Sequence, residues 1–203
     1  RLYSEDAVSY RSSPNQVSGS CLRLDSLSTG IPALTTKKAG VHMEACIWCL
    51  SECKHANGVQ IAIESDQSTG IYQIVWPDDI DLDAIYRAYN KDDGPEQGAE
   101  AIAFLIIREQ TDYTALRRSI TSTGIDYWLA YKSDVSDQLF TKDSARLEVS
   151  GILKQTSTNR PEYRMKQKKN QTMRSDSTSF PAYIVVVEFS QPYSLSEYRN
   201  ATG

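Results

Sequence analysis

Two short strand-like runs, residues 123–129 and 145–152, constrain the fold of this chain most, because each holds one carboxylate among apolar side chains. Successive side chains of a strand point to opposite faces, so Asp126 and Glu148 each point away from their apolar neighbours. If the two strands pair, the two carboxylates share a face. Like charges in a half-buried sheet repel each other and are costly to desolvate, so a cation between them is expected. Mg²⁺ is a hard cation that suits such oxygen ligands.

Size and composition limit the class of protein. A chain of 203 residues fits one domain with an elaborated end, and 40% hydrophobic with 24% charged residues is typical of globular proteins. The sequence lacks an apolar stretch of about 20 residues, which a membrane helix requires. With no secretion signal visible, we expect a cytoplasmic protein without membrane contact. A net charge of −4 argues against a nucleic-acid coat protein but allows a local basic patch.

The chain divides at a breaker over residues 90–95, which is rich in Asn, Asp, Gly and Pro. The pattern of residues 1–93 predicts an N-terminal elaboration that precedes the core of the domain. Its parts are an irregular lead-in over residues 1–36, an amphipathic helix over 38–54, a β-hairpin from the runs 59–63 and 71–76, and a short helix over 82–89.

Residues 94–203 predict a mixed α/β (α+β) core in which a helix, three strands, a helix and a strand follow one another. The helices cover residues 96–108 and 161–174, and the strands cover 113–120, 124–131, 145–153 and 183–189. The first helix is apolar enough to be buried. The three consecutive strands predict a meander, on which Asp126 and Glu148 are neighbours.

This αβββαβ order, with Asp126 on the second strand and Glu148 on the third, resembles the PD-(D/E)XK nuclease superfamily over about residues 94–190. The resemblance implies a restriction-endonuclease-like core. It also implies a nuclease that uses Mg²⁺, or Mn²⁺ in its place, to hydrolyse phosphodiester bonds in DNA. Restriction or anti-phage defence is the implied setting, with a homodimer or a partner subunit of a defence complex. RNA stays open as an alternative substrate.

Carried over residue by residue, the superfamily's metal site implies Glu100 on the first helix together with Asp126 and Glu148. The resemblance also implies that Gln167 on the second helix assists catalysis. The chain departs from the Glu-x-Lys motif of the third strand, because Ser150 stands where the lysine is expected. A hydroxyl cannot supply the charge of an ammonium that orients the attacking water.

The second helix offers substitutes for the missing lysine, and we favour Lys166 and Lys168, which flank Gln167. Basic side chains of the same segment are also expected to neutralise phosphates beside the site without reading bases. These are Arg164, Lys166, Lys168, Lys169 and Arg174.

Other interpretations stay open. The two strand carboxylates are structural if they pair with Arg117, Arg118 or Arg146. The chain is then a catalytically inactive protein of the nuclease fold that binds nucleic acid or a protein partner, with Ser150 marking the lost chemistry. A purely structural interaction module is a third alternative.

The four cysteines suggest a second kind of site. Cys46, Cys49 and Cys53 follow helical spacing and, with Cys21, could hold Zn²⁺ or an iron–sulfur cluster. Three cysteines on one stripe of a helix are also what a packed core face produces, because free cysteine is among the most buried residue types. We favour packing.

Overall fold

The computed structural model describes residues 20–66, 68–134 and 143–202, which form a mixed α/β structure around one eight-stranded sheet. Strands β1 to β8 span Cys21–Arg23, Val59–Ser65, Thr69–Val75, Tyr113–Arg118, Tyr127–Tyr131, Ala145–Ile152, Ala182–Glu188 and Tyr193–Arg199. Helices α1 to α4 span Thr36–Glu52, Leu82–Ala88, Gly94–Gln110 and Pro161–Thr172. Short 3-10 segments follow β1 and α4, at Leu24–Ser28 and Met173–Thr178.

The strands are ordered β1-β3-β2-β8-β7-β6-β5-β4 across the sheet. Strands β4, β5 and β6 form an antiparallel meander, and β6 then pairs in parallel with β7. Between β6 and β7 the chain crosses over through α4, as a parallel connection requires. The N-terminal hairpin, β2 and β3, joins the same sheet because β2 pairs in parallel with β8.

The order of elements from α3 to β7 is helix, three strands, helix, strand, as predicted. The amphipathic first helix, the hairpin and the short second helix are also observed, each within a few residues of its predicted bounds. Strands β1 and β8 were not predicted. The lead-in before residue 20 lies outside the described residues.

Helices cover both faces of the sheet. The main core lies between the sheet and helices α1 and α3, and a smaller one lies under α4. Strand β7 contributes side chains to both cores. Val185 and Val187 face the first core, and Ile184 and Val186 face the second. A strand buried on both faces reads as a continuous apolar run, which is why β7 was recognisable in the sequence.

The cysteines of α1 pack in the main core. Cys46 and Cys49 are fully buried, and burial raises the pKa of both thiols. Cys53 is half-buried and its Sγ donates to the carbonyl oxygen of Leu153 at 3.2 Å, whereas Cys21 is exposed on β1. The packing interpretation of Cys46 and Cys49 is confirmed.

None of the helices within the described ranges combines the length and the apolar character needed to cross a bilayer.

Candidate functional site

Asp126 and Glu148 lie side by side where strand β5 begins. The pairing of β5 with β6 sets Tyr127 opposite Leu147, so the residue before Tyr127 stands beside the residue after Leu147. The backbone N–H of Asp126 donates to the carbonyl oxygen of Leu147 at 2.9 Å, and the N–H of Val149 donates to Asp126 Oδ2 at 2.8 Å. The Asp126 carboxylate is therefore held against the strand that carries Glu148.

Glu148 is fully buried, and its pKa is raised to about 8. Burial is the largest cause because it disfavours the charged form, and the neighbouring Asp126 carboxylate adds repulsion. Lys168 opposes the rise. Glu148 Oε1 accepts hydrogen bonds from Lys168 Nζ at 2.5 Å and from Gln171 Nε2 at 2.9 Å. When Glu148 is ionised, its Oε2 has no hydrogen-bond donor among the described residues, and an unmet buried acceptor is costly. A hydrogen bond with Asp126 is open to the protonated form and adds to the rise in the pKa of Glu148.

One stripe of α4 faces Glu148 and Ser150. Arg164, Lys168 and Gln171 follow the spacing i, i+4 and i+7, which puts them on one side of a helix. Arg164 Nη1 donates to Ser150 Oγ at 3.4 Å, next to the contacts of Lys168 and Gln171 with Glu148. Two positively charged side chains of α4, Arg164 and Lys168, therefore lie beside Ser150 and Glu148.

Helix α3 brings two more carboxylates to Asp126. One carboxylate oxygen of each of Glu96, Glu100 and Asp126 lies within 4.8 Å of the other two. The helix can come this close because residue 151 is glycine, where a Cβ would lie only 1.8 Å from the carbonyl oxygen of Pro95. We refer to Glu96, Glu100, Asp126 and Glu148 as the acid site.

The Glu100 carboxylate is held on both oxygens. Arg118 Nη1 donates to Glu100 Oε1 at 3.0 Å, and the Tyr127 hydroxyl donates to Oε2 at 3.0 Å. His42 Nδ1 lies 3.3 Å from Oε2 and 3.1 Å from the carbonyl oxygen of Gln97. Burial lowers the pKa of His42 to about 4, so the ring is neutral at neutral pH. Burial also raises the pKa of Glu100, against which Arg118 acts.

A glycine also fixes the turn that leads to Asp126. Gly124 has a φ of +78°, a backbone conformation that side chains with a Cβ rarely adopt. A Cβ at this position would lie 2.1 Å from the carbonyl oxygen of Gln171 and 3.4 Å from Arg174 Cβ. The absence of a side chain therefore lets the end of α4 pack against the start of β5, so that Gln171 comes within reach of Glu148.

The structure brings together four of the six residues predicted for metal binding or catalysis: Glu100, Asp126, Glu148 and Lys168. It does not bring Lys166 or Gln167 to the acids. A helix turns by about 100° per residue, so both side chains point away when Lys168 points inward. Gln167 is exposed, and Lys166 lines a separate cleft with Glu64 and Glu162. Gln171, one turn after Gln167, makes the amide contact instead.

The predicted basic surface is divided around α4. Arg164 and Lys168 face the acid site, and the exposed Arg174 follows the end of the helix. Lys169 forms an ion pair with Glu197 of β8, and Lys166 lies in the neighbouring cleft. The five side chains therefore do not form one phosphate-binding stripe.

The alternative that arginines pair with the two strand carboxylates does not hold for Asp126 or Glu148. Arg118 pairs with Glu100, and Arg146 is fully buried and pairs with Asp176 at 2.9 Å. Within the described ranges, Asp126 and Glu148 have no ion pair with an arginine.

Four further residues of this site were not predicted from the sequence: Glu96, Gln171, Tyr127 and His42. A signal for Glu96 was present, since it precedes Glu100 by four residues and so lies on the same side of the helix. Tyr127 and His42 carried no such signal, because their roles depend on how β5 and α1 pack against α3.

Among the described residues, Glu96, Glu100 and Asp126 form the group whose oxygens lie close enough to hold one cation together, and Glu148 lies beside Asp126. Carboxylate oxygens of this kind suit a hard divalent cation. Comparison of the chain with protein-family models, with curated proteins and with solved structures gives no significant match.

Proposed function

We propose that this chain is a metal-dependent nuclease of the PD-(D/E)XK type that hydrolyses phosphodiester bonds in DNA. Restriction or anti-phage defence is the setting that the resemblance suggests. One observation carries the proposal: Asp126 and Glu148 lie side by side on neighbouring strands, with the Lys168 ammonium 2.5 Å from Glu148 Oε1. These are the charges that the superfamily's motif requires, with the lysine supplied by a helix.

The donor set fits Mg²⁺ or Mn²⁺. Asp126 and Glu148 would hold the ion, with Glu96 or Glu100 completing its protein ligands. The unpartnered Oε2 of Glu148 supports this assignment, because a buried carboxylate oxygen gains most from a cation. Such an ion lowers the pKa of a bound water and stabilises charge on the phosphate.

The chain's own residues would orient these groups. Lys168 and Gln171 fix the Glu148 carboxylate through Oε1, which leaves Oε2 to face a ligand. Arg164 and the half-exposed side chain of Arg118 add positive charge on two sides of the acids. Phosphate contacts of this kind position DNA without reading its bases.

A second candidate is a catalytically inactive protein that binds nucleic acid or a protein partner. It is favoured by the ion pairs that already neutralise two of the acids, Lys168 with Glu148 and Arg118 with Glu100. Ser150, in place of the motif lysine, agrees with the same interpretation.

Cleavage assays separate the two candidates. Plasmid, linear duplex and single-stranded DNA are incubated with Mg²⁺ or Mn²⁺ and with the parent, Asp126→Asn, Lys168→Met or Lys166→Met. We expect the parent to cleave, Asp126→Asn to lose roughly 100-fold or more of the rate, and Lys168→Met to lose about 10- to 100-fold. Lys166→Met is the matched comparison on the same helix and is expected to keep most of the activity.

Two outcomes would contradict the proposal. Equal cleavage by the parent and Asp126→Asn would remove the acid site as the catalytic centre. A parent that binds DNA in an anisotropy titration but cleaves none of the three substrates with either ion would establish the inactive binder instead.

A further inference from the structure

A cavity of about 580 Å³ lies at the far end of α3 from the acid site. It is bounded by the last turn of α3 and by the ends of strands β2, β4, β5, β7 and β8. Gln110, which lines the cavity, follows Glu100 by ten residues on α3, about 15 Å along a helix axis. The cavity is therefore a separate place on the molecule.

Four tyrosines form a continuous row along this cavity. The rings of Tyr131 and Tyr113 are stacked with centroids 4.6 Å apart. Tyr113 and Tyr183 follow at 5.7 Å, and Tyr183 and Tyr198 at 5.2 Å. The row depends on strand register, since Tyr113 pairs with Tyr131 across β4 and β5, and Tyr183 with Tyr198 across β7 and β8. All four residues are at least partly exposed to solvent.

The charged side chains around these rings are acidic. Asp66 and Asp112 are exposed and line the cavity, and Asp66 Oδ2 accepts a hydrogen bond from the N–H of Tyr198 at 2.8 Å. Glu197 also lines the cavity, but its carboxylate pairs with Lys169. Among the described residues that line the cavity there is no lysine or arginine.

We propose that this cavity binds an organic cation of the alkylated-ammonium class. An alkylated ammonium is attracted to the faces of aromatic rings and to carboxylates, and both are present here. The volume lies in the range of small-ligand pockets. Tyrosines also stack on nucleobases, but a nucleotide brings phosphate, which the carboxylates of Asp66 and Asp112 repel. The same chemistry is offered by a free quaternary amine and by a methylated lysine of a peptide.

Ligand titration of the full chain tests the proposal. Tetramethylammonium and choline are compared with 3,3-dimethylbutan-1-ol, an uncharged analogue of choline with the same shape, by tyrosine fluorescence and by NMR line shifts. We expect saturable binding of both cations and at least about fivefold weaker binding of the alcohol. A trimethyllysine peptide and its unmodified form show whether a free amine or a peptide is the better source.

Variants connect the binding to this cavity. Tyr198→Ala is expected to weaken choline binding several-fold, whereas Tyr198→Phe, which keeps the ring, retains it. Asp112→Asn is expected to weaken binding, and Asp92→Asn, at another exposed aspartate outside the cavity, is the control. Thermal melting establishes that each variant is folded.

Several results would overturn the inference. Binding of the alcohol as tight as that of choline would make the cavity merely apolar. Adenosine is titrated in the same way, and its binding without binding of either cation would make the cavity a base-stacking site. No binding of any probe would remove the cavity as a ligand site. Equal effects of Asp112→Asn and Asp92→Asn would exclude a role for the local charge. DNA cleavage is not a readout, so the nuclease proposal stands or falls separately.

Discussion

Glu100 and Glu148 are two buried carboxylates of one site, and the protein treats them differently. Glu100 receives a hydrogen bond on each oxygen, from Arg118 on Oε1 and from the Tyr127 hydroxyl on Oε2, with His42 also beside Oε2. Its negative charge is met by the half-exposed Arg118. The fold therefore satisfies Glu100 with protein groups alone.

Glu148 is satisfied on one side only. Lys168 and Gln171 both donate to Oε1, while Oε2 is buried without a donor among the described residues. The Asp126 carboxylate beside it raises the pKa further after burial has done so. The ionised form of Glu148 is therefore unfavourable here, and binding of a proton or a metal ion would stabilise it.

The difference separates two roles within the acid site. A buried carboxylate that is fully hydrogen-bonded contributes to the packing of α3 on the sheet. Removing one of its donors would leave a buried acceptor unsatisfied and so destabilise the fold. A buried carboxylate with an open oxygen is a place for a cation. We therefore expect Asp126 and Glu148 to be the main metal ligands, with Glu100 supporting the site from α3.

The largest expected effect is on cleavage. In the proposed nuclease, Glu148→Gln removes the charge of a main metal ligand, so we expect the cleavage rate to fall roughly 100-fold or more. Glu100→Gln keeps the shape of a supporting residue and is expected to lose about 10-fold. Cleavage of plasmid DNA over a range of Mg²⁺ concentrations measures both. A folded Glu100→Gln protein as inactive as Glu148→Gln would break the comparison.

The pH dependence of stability tests the state of Glu148 without metal. Its pKa rises from 4.5 to about 8 in the fold, so between these values the folded protein binds more protons here than the unfolded chain. The stability that the protonated group contributes is therefore lost as the pH rises through this range, by an amount on the order of a few kcal/mol. We expect the free energy of unfolding of the parent, relative to Glu148→Gln, to fall over the same range.

Urea unfolding of both proteins in chelator gives this difference directly. His42 acts in the opposite direction, because its lowered pKa of about 4 makes the fold more stable as the pH rises towards 6.5. It is present in both proteins, so its contribution cancels. A difference that does not change with pH would mean that Glu148 titrates normally and that the pair of acids is not coupled.

The Glu100 side of the comparison is tested by Tyr127→Phe. This change leaves Glu100 Oε2 without the hydroxyl that donates to it, so we expect a loss of about 1–3 kcal/mol in the free energy of unfolding. Tyr86→Phe is the control, since Tyr86 is 40% exposed on α2. Urea unfolding measures both variants. Equal stabilities of the two would show that Glu100 does not depend on its tyrosine.

The sequence was sufficient for the strand carboxylates because their pattern is local. Alternation within each run fixed the face of Asp126 and Glu148, and the meander order made the two strands neighbours. Strand β8 was missed because Tyr193–Arg199 has a single aliphatic residue, Leu195, among tyrosines, serines and charged residues, so its apolar signal is weak.

The choice between Lys166 and Lys168 lay beyond the sequence for a physical reason. The rotation of a helix about its axis follows from its buried side chains, and α4 has few, with Met165 the main apolar one. Its phase is set by tertiary contacts, among them the end of α4 packed against Gly124. Without these contacts, Lys166, Gln167 and Lys168 were equivalent candidates.

The smallest expected effect on stability concerns Glu96, the exposed member of the acid site. Glu96→Gln removes a charge that no hydrogen bond or ion pair fixes in the described part of the chain, so we expect a change in stability within about 0.5 kcal/mol. Glu162→Gln is a matched control, because both residues lie in the first turn of a helix and lose the same interaction with its dipole. Titration with Mn²⁺, followed by its electron paramagnetic resonance signal, should show weaker binding for Glu96→Gln only. If Glu162→Gln weakens Mn²⁺ binding equally, the effect is one of overall charge, and Glu96 is then not a metal ligand.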